Sequence, residues 1–149
     1  MKKSSACALL LVMLVPALAL SACAGIHVAY VDQSAVYSKS DLQALLETTT
    51  AEGVSTEPAE RAPDLRHDSL VELRSQGRAQ SAFADLITRS FPTASEGVPV
   101  YVEQAVVDGQ PAVVVVEAWG KVGARIDRKR LWVLERSSGD ILFSAVLRE

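Results

Sequence analysis

Apolar positions fall into three regimes along the chain. Residues 6–20 are an uncharged apolar run of 15, interrupted only by Pro16. Between residues 40 and 91, apolar positions recur every three or four residues, the helical period. From Val98 they alternate, the period of a strand.

Within the helical regime, residues 40–47 (SDLQALLE) predict a short helix. Ser40 with Gln43 fits a capping box, and Asp41 suits the positive end of the helix dipole. Leu42, Leu45 and Leu46 share a face that docks on the domain or lies against lipid, and the lack of basic residues within 40–47 favours docking. A longer helix follows, capped by Asp64 or by Ser69 with Glu72. Its face is Leu70, Leu73, Ala79, Ala82, Phe83, Leu86 and Ile87. Gly77 costs about 1 kcal/mol in a helix interior and marks a potential break into two helices. Phe91-Pro92 ends the run.

In the alternating regime, Val98, Val100, Val102 and Val106 are expected on one strand face. Asp108-Gly109 signals a tight hairpin, because both positions tolerate positive φ. Residues 112–119 (AVVVVEAW) predict a return strand in a central position, apolar on both faces. Residues 130–136 and 141–147 predict two more strands, joined by Ser137-Ser138-Gly139-Asp140. Residues 26–32 read equally as a strand or as extended linker. Residues 48–64, with three threonines in a row and few core-forming side chains, read as a flexible linker. The expected architecture is α+β, an amphipathic helix packed on a four-stranded antiparallel sheet after a signal peptide and a partly disordered linker. The expected divisions are 1–22, 23–64 and 65–149.

Lys2 and Lys3 precede the long apolar run, and small residues close it, as in an export signal. A membrane-spanning helix needs roughly 20 apolar residues, and Pro16 disfavours a helix interior. The run ends in Leu20-Ser21-Ala22-Cys23, which resembles the lipobox of bacterial lipoproteins at all four positions. The resemblance implies a lipid-bearing thioether on Cys23, cleavage after Ala22, and fatty acids such as palmitate holding the chain on the extracytoplasmic face of a cell or outer membrane. Two acyl chains suffice for stable attachment. The only other cysteine, Cys7, would leave with the signal, so no disulfide or free thiol would remain.

Loss of Lys2 and Lys3 would take the formal charge of −3 two units lower. A net acidic chain argues against nucleic acid and against general anionic-surface binding. Three Phe, two Trp and three Tyr leave the core mainly aliphatic.

Residues 83–147 resemble a PepSY-type, cystatin-like domain through the helix FADLITRSF, the hairpin VDGQPAVVVV and the closing LERSSGDILFS. The family's aspartate before the final turn has no match, since Glu135 and Arg136 stand there. The resemblance implies a regulatory or inhibitory module outside the cytoplasm and carries over no catalytic residue.

Lys121, Arg125, Arg128, Lys129 and Arg130 form the one dense basic cluster, opposed by Asp127. It suits an anionic partner such as a phosphate headgroup, a wall polymer or an acidic protein face; as structure, it is a solvated loop guarding a sheet edge. Glu103, Glu117 and Glu135 lie in strands and would form a carboxylate site if they shared a face, which the unknown register decides. Trp119 and Trp132 suit an aromatic platform or cross-strand packing. His27 and His67 read as linker and surface residues, His27 alternatively as a metal ligand or pH sensor. The chain has no nucleophile elbow, phosphate loop or paired-histidine zinc motif. No catalytic residue, metal or cofactor is assigned. Three functions fit: a lipid-anchored, non-catalytic binding or accessory module meeting an envelope protein or anionic polymer; a small hydrolase or metal-dependent enzyme using the strand glutamates; or a structural envelope spacer.

Overall fold

The computed structural model describes residues 26–91 and 97–147. The lipobox and its signal lie outside the described residues. The element order is β1 (Ala29–Tyr37), α1 (Lys39–Thr48), a 3₁₀ turn (Ala59–Arg61), α2 (Ala62–Ser75), α3 (Arg78–Ser90), β2 (Val98–Val107), β3 (Gln110–Trp119), β4 (Arg128–Glu135) and β5 (Ile141–Val146). The strands form one sheet in the order β1-β2-β3-β4-β5. Strands β2 to β5 pair antiparallel, and β1 runs parallel to β2. The α+β class holds, but the sheet is five-stranded and mixed, not four-stranded and antiparallel. A parallel pair needs a long crossover, which α1, α2 and α3 supply.

The sheet is covered on both faces. Leu42 and Leu46 of α1 pack on one face with Val114 and Val116 of β3. Leu73 of α2 and Phe83, Leu86 and Ile87 of α3 pack on the other with Val113 and Val115. The central valine run therefore feeds two cores, as its sequence predicts. The expected layout of one helix on antiparallel strands is found in α3 with β2–β5; β1, α1 and α2 are additional to it.

Strand β2 departs from simple alternation. A register shift between Pro99 and Tyr101 puts Val98 and Val100 in the α1-side core and Val102 in the opposite core. An extra residue in one strand reverses every following side chain. The expected single face of Val98, Val100 and Val102 is thus split.

Residues 48–64 are folded, contrary to the expected flexible linker. Val54, Ala59 and Ala62 are buried in the α1-side core. Ala59 N–H donates to the Ala124 carbonyl at 2.9 Å, and Ile126 N–H to the Glu57 carbonyl at 2.9 Å. This segment pairs with the β3–β4 connection through a bridge between Pro58 and Arg125. Few apolar residues suffice because each one is buried. Residues 26–64 consequently share a core with residues 65–147, and no boundary at residue 65 separates them.

Helix starts also differ from expectation. Ser38, not Ser40, caps α1: its hydroxyl accepts from Asp41 N–H, and its own N–H donates to the Asp41 carboxylate at 2.8 Å. These Ser38 bonds hold the Asp41 carboxyl below its usual pKa. Helix α2 starts at Ala62 with Pro63 in its first turn, so Ser69 lies inside the helix and donates to the buried Pro99 carbonyl at 2.6 Å. The break at Gly77 is real: its φ of 152° separates α2 from α3. Asp108 and Gly109 adopt φ of 48° and 81°, the expected hairpin turn.

Candidate functional site

Chemically distinctive side chains gather where β3 ends and β4 begins. Glu117 on β3 pairs directly across from Arg130 on β4, and it has no exposed surface. A buried carboxylate is stable only when its charge is matched and its oxygens are hydrogen-bonded. Arg130 Nε donates to Glu117 Oε2 at 2.8 Å, and Trp132 Nε1 donates to the same oxygen at 2.9 Å. Arg66, delivered by α2, donates to Oε1 and to the Gly97 carbonyl at 2.7 Å. A Cβ at Gly97 would run into the Glu117 carboxylate, so only glycine fits there.

Aromatic rings sandwich these cations. Arg66 lies over Phe91 at 5.8 Å, and Phe91 meets Trp132 at 4.9 Å between ring centroids. Arg130 lies 5.2 Å from the Trp132 ring and 5.9 Å from the Trp119 ring. Arg128 caps the outer side of Trp119 at 5.3 Å. Such pairs are favourable because the ring face is electron-rich. Two guanidinium groups face one carboxylate, which leaves the cluster cationic. Arg66 Nη2 and Trp119 Nε1 are buried donors without a hydrogen-bond partner.

The five basic residues of the expected anion site do not converge. Arg128 and Arg130 join the tryptophan stack. Lys129, between them on the strand, points to the other face, and its Nζ donates to the Glu47 and Thr49 carbonyls at 3.0 and 2.6 Å. It thereby satisfies carbonyls at the C-terminus of α1, and burial lowers its pKa despite the nearby Glu47 charge. Beside it, residues 47–52 and 126–129 line a groove of about 370 Å³. Lys121 and Arg125 stand apart on the exposed β3–β4 loop.

The three strand glutamates do not meet either. Glu103 lies on the α1 face, where its Oε2 accepts from Tyr37 and Tyr101 hydroxyls, each at 2.7 Å. Burial and this carboxylate push Tyr37 up to about 12 and raise Tyr101 as well. Glu135 accepts from the Ser137 hydroxyl and amide and from the Ser138 amide, which together hold its pKa down to about 2. His27 lies 3.4 Å from Glu72 and is largely exposed, and His67 is exposed. Among the described residues, no group of three His, Cys, Asp or Glu is placed to hold a metal ion.

Sequence reasoning missed Arg66, Gly97 and the two tyrosines. For Arg66, the signal was Glu117 itself: a charge directly after four valines in a central strand requires a cationic partner from elsewhere. Tyr37 and Tyr101 belong to strands whose pairing is non-local, and no sequence signal pointed to them.

Among the described residues, no helix is long and apolar enough to cross a membrane. No protein-family model matches the chain, and no curated protein and no solved structure matches it.

Proposed function

We propose that the chain is a lipoprotein held by Cys23 on the extracytoplasmic face of a membrane, and that its folded part is a non-catalytic binding module. The observation that carries this reading is spacing. Cys23 of the lipobox stands three residues before Ile26, which already packs on the α1-side core. Val28 N–H donates to Glu72 at 3.1 Å, and the Val28 carbonyl accepts from Gln76 at 3.1 Å. The lipid-bearing residue would thus join the fold almost directly.

Two further features support a binding role over the alternatives. An enzyme built on the strand glutamates would need them together, whereas Glu103, Glu117 and Glu135 sit apart, each bound to neighbouring donors. A spacer would need reach, whereas residues 48–64 lie folded against the sheet. The cationic and aromatic strip of Arg128, Trp119, Arg130 and Trp132 has the composition typical of interface anchors. It fits an anionic group on an envelope protein or polymer.

The test of the anchor is incorporation of radiolabelled palmitate into the intact chain and into Cys23→Ser. The expected outcome is label and membrane recovery for the intact chain, and neither for the variant. Equal labelling of the two, or none in the intact chain, overturns the proposal.

A further inference from the structure

We infer that the β3–β4 loop is a second, non-covalent membrane contact, with Val122 entering the headgroup layer and Lys121 and Arg125 meeting its anionic phosphates. This inference rests on the anchor reading above. It follows from topology, tether length and the chemistry of the loop.

Topology puts the loop and the tether at one end of the sheet. Strand β1 runs parallel to β2 and starts in the same half of the sheet, Ala29 lying opposite Tyr101, the fourth residue of β2. Tyr101 pairs with Val116 of the antiparallel β3, and Val116 with Leu131 of β4. Strand β3 continues to Trp119 toward the end where β1 begins, and the loop hangs beyond it. Ile26 and Ile126 belong to the same core cluster, which brings both segments to that end.

The tether is short. Two residues separate Cys23 from Ile26, and an extended residue spans at most about 3.6 Å. Neighbouring strands lie roughly 4.8 Å apart, so the loop stands only two to three strand spacings aside from β1. A domain held this closely presents the loop to the membrane that holds its lipid.

The loop has the chemistry of a headgroup contact. Residues 121–125 are all exposed. Val122, 77% exposed, is the most exposed large apolar side chain among the described residues. Lys121 and Arg125 flank it, and among the neighbouring acids Glu60 reaches the loop itself. Glu60 accepts from Gly123 N–H at 2.7 Å, which helps hold its carboxyl below the ordinary range. Glu57 pairs with Arg61 at 2.8 Å, Asp127 lies 3.7 Å from Arg128, and Glu52 lines the groove on the α1 side. The loop is also held in shape by the Pro58–Arg125 bridge and by Gly120 packed against the Arg125 carbonyl. An apolar tip between cationic shoulders suits the boundary between acyl chains and anionic headgroups.

The test uses the full lipidated chain carrying Val122→Cys, labelled with a polarity-sensitive fluorophore. It is placed in phosphatidylcholine vesicles with and without phosphatidylglycerol, each containing a headgroup spin-labelled lipid as quencher. The same label on Asp108→Cys, in the hairpin at the opposite end, is the reference. The expected result is quenching several-fold greater at 122 than at 108, and weaker quenching at 122 in phosphatidylglycerol vesicles when Lys121→Gln and Arg125→Gln are added. Equal quenching at the two positions, in protein whose Cys23 acylation is verified by mass, overturns the loop contact alone. Protein lacking acyl chains at Cys23 overturns both the contact and the anchor.

Discussion

Glu117 sits without exposed surface at the end of a valine run, and its two oxygens hold three donors from α2 and β4. Its removal leaves Arg66 and Arg130 buried against each other. Breaking a buried ion pair from one side costs about 3–5 kcal/mol. Glu117→Gln, which keeps the shape and loses the charge, is expected to lower the urea midpoint sharply, while Glu52→Gln at an exposed position leaves it nearly unchanged. Glu103 makes a different demand. Burial, reinforced by its carboxylate, raises the pKa of Tyr37 to about 12 from an ordinary 10, and raises Tyr101 too. Below pH 10 both folded and unfolded chains keep these phenolic protons, so the stabilisation is complete. Between pH 10 and about 12 the unfolded chain loses them first, and stability falls. Thermal unfolding followed across that window is expected to show a steeper alkaline decline for the intact chain than for a Tyr37→Phe/Tyr101→Phe variant. The charge in the valine run was legible in the sequence as a residue needing a partner. Which arginine answers it depends on a helix folded back from about 50 positions earlier, which no local pattern encodes.

At the scale of elements, turn, break and central-strand signals held, while the helix caps and the non-local pairings did not. The Asp108-Gly109 turn, the break at Gly77 and the buried β3 depend on neighbouring residues, and each is found where its pattern stands. Strand β1 depends on β2, some 70 residues away, so residues 26–32 could not be told from linker by pattern. The β2 bulge at Pro99 reverses faces without any change in apolar content. Residues 48–64 resemble a disordered stretch because composition counts apolar residues and not where they go. Val54, Ala59 and Ala62 all go inward, and the segment's amides bond to the β3–β4 loop. The amides of Ala59 and Ile126 are therefore expected to exchange slowly with deuterium, with protection comparable to strand amides. Exchange as fast as in an unstructured peptide would show that this segment moves freely.

For the whole molecule, a compact body with helices on both sheet faces leaves two strand edges. Strand β1 carries Asp32 and a register irregularity between Val31 and Ala35, both of which discourage further pairing. Strand β5 has neither charge nor proline, though a register shift interrupts its pairing with β4 near Leu142. It leaves Ile141, Leu142 and Val146 exposed. Two copies can extend one sheet through antiparallel β5 edges only about a two-fold axis normal to the sheet. That rotation turns one copy end over end and carries its Ile26 to the end opposite the Ile26 of the other copy. A tether of two residues does not span the height of a domain. If Cys23 carries the proposed lipid, attachment thus keeps neighbours on one membrane from zipping antiparallel along this bare edge, a protection that would belong to the lipid and not to the strand.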